Sequence, residues 1–179
     1  MEVGQPYKYM ISKKELNNKA KKIKLLLTDV DGVLTDNGVY YGIDGEQLKR
    51  FSIRDGMGVE RLLKLAEVET GIITGELSPS VAKRAEKLSI KELHLGIKNK
   101  LLVLNEIVKK RKISLNEIAY IGDNVNDLEI MEQVGLTACP ADAMDMVKKQ
   151  VHYICNENGG SGCFREFAEQ IINTKKTKK

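Results

Sequence analysis

Tryptophan is absent from this chain, aromatic residues make up only 5% of it, and no apolar run is long enough to cross a bilayer. Few aromatic side chains are therefore available for stacking on single-stranded nucleic acid. The net charge of +4 is matched by four lysines among the last five residues, so the remainder is electrically neutral. A neutral body lacks the clustered basic surface of nucleic acid-binding proteins. The composition predicts a protein with no nucleic acid partner and no membrane span.

Cysteine and histidine are also scarce. The three cysteines, Cys139, Cys155 and Cys163, are odd in number and widely spaced, which supports neither a disulfide framework nor a Cys-x-x-Cys metal site. We interpret them as buried or incidental thiols. Two histidines supply a zinc site poorly. The lysine-rich N-terminal segment has no long apolar core behind it, unlike a secretory signal, so we expect a cytoplasmic location.

The chain length of 179 residues, 42% of them hydrophobic, suits one domain with an ordinary core. We predict a single domain over residues 1–173, with a β-hairpin insertion at about 37–53. The lysine-rich end, residues 174–179, is predicted to be a disordered basic tail.

Short apolar runs alternate along the chain with segments of helical periodicity. The predicted strands are 24–28, 68–74, 93–95, 118–121, 136–139 and 151–155, and the predicted helices are 59–66, 78–88, 101–108, 127–134, 141–149 and 163–172. Gly135 is placed just past the end of one of these helices. The alternation predicts an α/β fold, with a mostly parallel sheet and helices on both of its faces.

Four acidic residues follow two of the predicted strands: Asp29 and Asp31 after the first, and Asp123 and Asp127 after residues 118–121. Because parallel strands end at one edge of a sheet, we expect these carboxylates to converge there. Crowded carboxylates resist ionising together, and a divalent cation relieves that repulsion. Mg²⁺ prefers oxygen ligands and keeps waters for a phosphate, so it is the cofactor that this cluster favours.

A hydroxyl group and a lysine are predicted at the same edge. Thr74 and Gly75 follow the second buried strand, and Lys100 opens a helix after a glycine-containing loop, with Lys98 as its nearby rival. Threonine donates a hydrogen bond and lysine supplies positive charge, which together suit a phosphoryl group. With the acids, they indicate metal-assisted phosphoryl transfer.

The order of these motifs resembles the haloacid dehalogenase superfamily, whose fold is Rossmann-like. Residues 26–36, LLTDVDGVLTD, are similar to its first motif, and Thr74, Lys100 and residues 122–127 are similar to its second, third and fourth. The resemblance covers about residues 22–172. The hairpin, the run RDGMG at 54–58 and the run GGSGCFRE at 159–166 resemble the capless subgroup that contains 3-deoxy-D-manno-octulosonate 8-phosphate phosphatases.

The resemblance implies a role for each motif residue. Asp29 is the expected nucleophile that forms an aspartyl-phosphate, and Asp31 is the expected acid that protonates the leaving alkoxide and then activates water. Mg²⁺ is expected to bind Asp29, the backbone carbonyl of Asp31 and Asp123, with Asp127 assisting directly or through water. The residues expected to bind the phosphoryl group are Thr74, Gly75 and Lys100.

The spacing of the motifs leaves no room for a cap domain. The segment between Asp31 and Thr74 holds only the hairpin and one helix, and the next segment holds a helix and a short strand. In the resembled subgroup, a homotetramer closes the open site, with hairpins associating and a neighbouring chain lining it. A lone hairpin would expose apolar residues, unless it packs on its own chain. These residues are Val39, Tyr40, Tyr41 and Phe51.

The substrate in the resembled subgroup is a phosphorylated 3-deoxy-2-ulosonic acid. We expect Arg54 and Arg165 to pair with the sugar-acid carboxylate or with another part of the site, or each to form a structural ion pair instead. The glycine-rich segment 159–162 is either a mobile rim of the site or a plain turn.

The residue after the Thr-Gly pair bears on substrate length. Octulosonate phosphatases usually have arginine there, whereas this chain has Glu76. A glutamate accepts hydrogen bonds from sugar hydroxyls, and it resembles the branch that acts on nine-carbon ulosonate 9-phosphates. The run at 54–58 favours the eight-carbon branch, so both substrate lengths stay open.

Three rival functions are a phospho-receiver domain, a non-catalytic assembly module of the same fold, and phosphoryl transfer to an acceptor other than water. A receiver domain carries its acids, threonine and lysine in a different order along the chain. The presence of both Asp29 and Asp31 argues against a module without activity.

Overall fold

The computed structural model describes residues 11–176, which form a six-stranded sheet, a separate two-stranded hairpin and seven α-helices. The elements are α1 (Lys13–Ala20), β1 (Leu25–Thr28), β2 (Thr35–Gly42), β3 (Gly45–Phe51), α2 (Ile53–Ala66), β4 (Glu69–Ile73), α3 (Pro79–Lys87), β5 (Glu92–His94), α4 (Lys100–Arg111), β6 (Ile118–Ile121), α5 (Leu128–Met131), β7 (Leu136–Cys139), α6 (Asp145–Lys148), β8 (Tyr153–Ile154) and α7 (Cys163–Lys176).

The strand order of the large sheet is β5-β4-β1-β6-β7-β8, and every neighbouring pair is parallel. From β1 the chain proceeds to β4 and β5 on one side, then crosses back to β6, β7 and β8 on the other. The strand order therefore reverses beside β1. In open α/β sheets, ligands bind at such a point, beyond the carboxyl ends of the strands.

Side chains of β1 point alternately to two apolar cores, which lie on opposite faces of the sheet. Leu26 belongs to the core under α1, α2, α3 and α7, whereas Leu25 and Leu27 belong to the core under α4, α5 and α6. Because both faces are covered, every residue of β1 is buried and the strand reads as a continuous apolar run. The predicted α/β class, with a parallel sheet and helices on both faces, is confirmed.

No cap domain is inserted within the described range, as predicted. The chain between β1 and α2 contains only the hairpin, and the chain between β4 and α4 contains only α3 and β5. Within residues 11–176, no helix is both long and apolar enough to cross a membrane. The three cysteines are free and buried, as the sequence predicted, and burial raises the pKa of the Cys139 thiol to about 12.

The first two helices of the described residues, α1 and α2, differ from the prediction. The helix predicted at 59–66 begins at Ile53, because the Ser52 hydroxyl accepts a hydrogen bond from the backbone N–H of Asp55 and caps it. Gly58 lets this helix pack closely against α7, since a Cβ at this position would lie 3.0 Å from the Cα of Arg165. Helix α1 was not predicted, since it buries only Leu16 and Ala20.

Several later elements also differ in length. Helices α5 and α6 have four residues each and β8 has two, because 3-10 and turn segments replace the predicted helical and strand ends. Gly135 has no positive φ, so it is not a left-handed helix cap. Instead it packs against the backbone of Asn116, where a Cβ would lie 2.7 Å from the Cα.

The final helix is longer than predicted. It continues through Lys176, so residues 174–176 are helical and the predicted disordered tail is wrong for them. Thr174 is buried, and its hydroxyl group lies 3.1 Å from Asn17 of α1 and 2.8 Å from the carbonyl of Gln170. The remainder of the predicted tail, 177–179, lies outside the described residues.

Candidate active site

Asp29, Asp123 and Asp127 lie together beyond the ends of β1 and β6. One carboxylate oxygen from each falls within 4.8 Å of the other two. The two strands end at the same level, because Thr28 pairs with Ile121 and the N–H of Asp29 donates to the carbonyl of Ile121 at 3.0 Å. The sheet therefore brings together carboxylates that are far apart along the chain.

Lys100 reaches this cluster from the first position of α4. The Asn99 side chain caps the helix by accepting a hydrogen bond from Leu102 N–H, which fixes where the helix starts. The Nζ atom of Lys100 lies 2.8 Å from Asp29 Oδ2 and 2.6 Å from Asp127 Oδ1, and its side chain is buried. Lys98 is exposed. Of the two candidate lysines, Lys100 is the one that contacts the acids.

Asp127 anchors the loop that carries Asp123. Its Oδ2 accepts hydrogen bonds from the backbone N–H groups of Asp123 and Asn124, at 3.1 and 3.2 Å. Its Oδ1 accepts from the Tyr120 hydroxyl and from Lys100, each at 2.6 Å. Asp127 is fully buried, and protein donors occupy both of its oxygens. Tyr120 was not predicted as a site residue. The one feature of the sequence that points to it is its hydroxyl group within the otherwise apolar strand β6.

Asp123 presents one carboxylate oxygen without a protein partner. Its Oδ2 accepts a hydrogen bond from the Asn37 amide at 3.3 Å, while Oδ1 is buried and has no hydrogen bond. A buried carboxylate oxygen without a partner is costly, and such an atom calls for a specific explanation. A cation bound between Asp29 and Asp123 supplies one, and oxygen donors are those that Mg²⁺ prefers.

The electrostatics of the cluster favour cation binding. Burial raises the pKa of Asp29 to about 7, and the charge of Asp127 adds to this effect while Lys100 opposes it. Burial also raises the pKa of Asp123 to about 6. Burial alone would lower the pKa of Lys100, but the charges of Asp29 and Asp127 outweigh it, and the pKa is raised. The lysine is therefore charged, and the carboxylates hold more negative charge than one lysine neutralises.

Thr74 directly follows β4 and lines a cavity beside the acidic cluster. It is buried, and its hydroxyl oxygen accepts a hydrogen bond from Glu76 N–H at 3.3 Å. The cavity has a volume of about 130 Å³. Six of the residues that line it are predicted site residues, namely Asp29, Asp31, Thr74, Gly75, Glu76 and Asp123. The other three are asparagines, Asn37, Asn124 and Asn126.

Asp31 is half-buried in the turn after β1 and is held by a lysine that sequence reasoning missed. The Nζ atom of Lys49, on β3, lies 2.5 Å from Asp31 Oδ1. The turn itself requires glycine at position 32, where φ is +79° and a Cβ would overlap the Asp123 carboxylate. The hairpin therefore contacts the site through a buried lysine.

The two arginines predicted to contact substrate lie outside the cavity lining. Arg165 Nε pairs with Glu169 at 2.8 Å, and the same carboxylate pairs with Arg61 at 2.6 Å. For Arg165, the structure thus shows the structural ion pair that the sequence had left as an alternative. Arg54 is exposed in the first turn of α2.

The glycine-rich segment 159–162 is a tightly packed turn in this structure, which corresponds to the second of the two alternatives that the sequence left. The N–H of Gly160 donates to the carbonyl of Val33 at 2.9 Å, and the N–H of Gly159 donates to Asp142 at 2.9 Å. A Cβ on Gly159 would overlap the carbonyl oxygen of Gly32. The segment supports the turn that carries Asp31.

Comparison with known families identifies the class to which this fold and site belong. The family model for haloacid dehalogenase-like hydrolases matches residues 75–167, more than half of the chain. The chain belongs to this family, so it is a hydrolase, and the superfamily predicted from the order of the motifs is confirmed. Family membership also removes the phospho-receiver interpretation.

Within that class, three similar proteins are 3-deoxy-D-manno-octulosonate 8-phosphate phosphatases. The 3-deoxy-D-manno-octulosonate 8-phosphate phosphatase KdsC of Escherichia coli K12 is 38% identical over 154 residues, covering 86% of this chain and 81% of the relative. The crystal structure of the Yersinia pestis phosphatase is 36% identical with a TM-score of 0.87, covering 90% of this chain and 87% of that one. The Moraxella catarrhalis phosphatase, crystallised with magnesium ion, phosphate ion and KDO, is 35% identical with a TM-score of 0.87, covering 92% and 94%. The chain is a member of this phosphatase family.

Proposed function

We propose that this protein is a Mg²⁺-dependent phosphatase that removes the terminal phosphate of a 3-deoxy-2-ulosonic acid phosphate, with KDO 8-phosphate as its substrate. The observation that carries the proposal is the buried cluster of Asp29, Asp123, Asp127 and Lys100 at the point where the strand order reverses. The relatives support the choice of substrate, because they are named for this reaction and one of them contains magnesium, phosphate and KDO together.

The donor set fits Mg²⁺. Asp29, Asp123 and the backbone carbonyl of Asp31 would hold the ion, and Asp127 would act by fixing the loop, since its oxygens already accept protein hydrogen bonds. When bound, Mg²⁺ offsets negative charge on the phosphoryl oxygens and on the attacking carboxylate.

The residues of this chain then divide the chemistry between them. A carboxylate oxygen of Asp29 forms a bond to phosphorus while the bond from phosphorus to the sugar oxygen breaks, and Asp31 gives a proton to that oxygen. Asp31 next takes a proton from water, which attacks the phosphorus and releases phosphate and free Asp29. Lys100 and Thr74, with the N–H of Gly75, bind the phosphoryl oxygens.

The size of the cavity indicates how the sugar acid is held. At about 130 Å³, it is well below the ~300 Å³ at which ligand pockets usually begin. It suits a phosphate and a cation, so most of the sugar acid lies outside it. Phe51 packs on its own chain's core, but Val39, Tyr40 and Tyr41 are exposed on the hairpin. We infer a homotetramer in which neighbouring hairpins associate and complete the site.

A second substrate is favoured by one observation, the position of Glu76 in the cavity lining. A carboxylate there accepts hydrogen bonds from sugar hydroxyls but repels a second anionic group. This suits a nine-carbon ulosonate 9-phosphate, such as KDN 9-phosphate, whose longer chain presents more hydroxyls. In either case, exposed Arg54 is our proposed partner for the sugar-acid carboxylate.

The test is a phosphate-release assay on KDO 8-phosphate and KDN 9-phosphate, with and without EDTA. We expect turnover of KDO 8-phosphate, its loss with EDTA and its recovery with Mg²⁺. Preference for KDN 9-phosphate would instead support the second substrate. Failure of the folded protein to release phosphate from either compound would overturn the substrate class. Activity retained in EDTA would overturn the role of the metal, and phosphate transferred to an added sugar or alcohol in preference to water would show a transferase.

A further inference from the structure

Lys49 is a buried lysine in a hairpin that is otherwise largely exposed. It is the one residue of β3 that is buried, and its side chain has no exposed surface. Lysine is almost never buried unless it is paired. Its Nζ atom lies 2.5 Å from Asp31 Oδ1 and 3.5 Å from Glu46 Oε2, so two carboxylates compensate the charge.

The contacts of Glu46 continue this arrangement to the second motif. The Ser78 hydroxyl donates a hydrogen bond to Glu46 Oε1, and Ser78 also caps α3 by accepting from Val81 N–H. Helix α3 directly follows the segment that contributes Thr74 and Glu76 to the cavity. Glu46 thus connects Lys49 to a fixed point of the main domain.

The side-chain hydrogen bonds to Asp31 reach a single oxygen. Within the described residues, Lys49 and the Thr35 hydroxyl both contact Oδ1, the latter at 3.5 Å. Oδ2 is therefore the oxygen left for the leaving group and for water. Asp31 lines the cavity but Lys49 does not, so Lys49 contacts the Asp31 carboxylate from outside the cavity.

We propose that Lys49 is a positioning residue that orients the Asp31 carboxylate for proton transfer, and that Glu46 holds Lys49 in place. The inference rests on the proposed function, because it needs Asp31 to exchange a proton with the leaving oxygen. It gives the hairpin a second role, since the element proposed to join subunits also supports the catalytic acid. A correctly placed acid contributes about 10²–10⁴-fold to a rate, so a misplaced one loses a measurable part of this.

The experiment compares two leaving groups in Lys49→Met, Lys49→Arg, Glu46→Gln and Asp31→Asn. A sugar-acid phosphate releases a basic alkoxide that needs a proton, whereas p-nitrophenyl phosphate releases a weakly basic phenolate that does not. We expect Lys49→Met to lower kcat/KM for the sugar-acid phosphate by about 10- to 100-fold, and that for p-nitrophenyl phosphate by less than about 3-fold. Lys49→Arg should recover part of the loss. Asp31→Asn should show the same contrast in kcat/KM more strongly, while its kcat falls for both compounds because Asp31 also activates water.

The outcomes separate this inference from the proposed function. If Asp31→Asn shows no contrast in kcat/KM between leaving groups, Asp31 is not the acid, and this inference falls together with the acid role in the proposed mechanism. The proposed substrate class is tested independently by the phosphate-release assay. Suppose instead that Asp31→Asn shows the contrast, but that Lys49→Met lowers kcat/KM equally for the two compounds or for neither of them. In that case only the proposed role of Lys49 is overturned. A raised KM for the sugar acid at unchanged kcat would make Lys49 a substrate-binding residue and also overturn the inference. Should Lys49→Met fail to fold, Glu46→Gln decides, because a leaving-group contrast supports the inference and its absence overturns it.

Discussion

The ammonium group of Lys100 lies between two buried carboxylates, 2.8 Å from Asp29 Oδ2 and 2.6 Å from Asp127 Oδ1. The Tyr120 hydroxyl accepts a third hydrogen bond from it at 3.1 Å. One side chain therefore joins the proposed nucleophile after β1 to the anchored loop after β6. In the proposed mechanism, the same ammonium offsets the charge of an incoming phosphoryl group.

Lys100→Met should reduce phosphate release by about 10²–10³-fold, because it removes a preorganised charge from the phosphoryl site. It should also lower the free energy of unfolding by about 3–5 kcal/mol, since two buried carboxylates lose their cation. Steady-state kinetics and urea denaturation measure the two effects. The matched control is Lys98→Met, which alters an exposed side chain and should behave as the wild type. Equal losses in both variants would contradict the assignment of Lys100.

Mg²⁺ affinity should depend on pH through Asp29 and Asp123. Their pKa values in the metal-free protein are raised to about 7 and about 6, and Mg²⁺ binds the deprotonated forms. Titration calorimetry should therefore show binding about tenfold or more weaker near pH 5.5 than near pH 7.5, since one pKa unit corresponds to ~1.36 kcal/mol. Affinity that stays constant over this interval would show that these two groups do not bind the ion.

The same raised pKa values set the sign of a stability effect. In the unfolded chain, Asp29 and Asp123 lose their protons at about pH 4. In the native state they keep these protons until about pH 7 and about pH 6, respectively. The stability that these two groups contribute is thus present at low pH and is lost as the pH rises through this window. Mg²⁺ should oppose the loss, so the rise in Tm on adding it should be greater near pH 7.5 than near pH 5.5. A larger rise at the lower pH would contradict this linkage.

Gly159→Ala should displace the turn that carries Asp31, because the added Cβ would overlap the carbonyl oxygen of Gly32. We expect a clear fall in kcat together with a loss of about 1–3 kcal/mol in the free energy of unfolding. The control is Gly162→Ala, in the same loop, where φ is +123° but the atoms nearest to an added Cβ would be 3.8 Å away. It should cost stability through backbone strain and leave kcat nearly unchanged. If both variants kept full activity, the segment would not support the turn.

Ile43→Asp should disrupt the proposed tetramer, since Ile43 is fully exposed at the tip of the hairpin beside exposed Tyr41. Sedimentation velocity should show tetramers for the wild type and smaller species for the variant. Activity on the sugar-acid phosphate should fall with the assembly, because we propose that a neighbouring subunit completes the small site. Leu63→Asp changes an exposed apolar residue on α2 and serves as the control. A fully active wild-type monomer would overturn this account of the site.

The sequence predicted the sheet and the acidic cluster well, because both depend on short-range patterns. A continuous run such as residues 25–28 indicates a doubly covered strand, and parallel strands must end at one edge. Sequence alone therefore predicts that Asp29, Asp123 and Lys100 lie together. Helix ends were predicted less well, since the early start of α2 depends on the Ser52 cap and on glycines that pack against α7.

Contacts that do not follow from the common edge of the parallel strands were beyond the reach of sequence patterns. Lys49 reads as an ordinary charged residue of a polar strand, and only the folding of the hairpin onto the domain brings it to Asp31. Arg165 reads as a candidate anion ligand, whereas helical spacing places it against Glu169. The glycines at 159 and 160 indicate conformational freedom in sequence, but their role is to let two backbone segments approach each other.

The central claim is that a phosphoryl group and Mg²⁺ meet at Asp29, and the most direct test is a crystal structure with Mg²⁺ and beryllium fluoride, a phosphoryl mimic. The account predicts beryllium bonded to an Asp29 carboxylate oxygen, with fluorines contacted by Lys100 and Thr74. It predicts Mg²⁺ bound by Asp29, Asp123 and the carbonyl of Asp31. Beryllium attached elsewhere, or the acids splayed apart with the cation at another place, would contradict it.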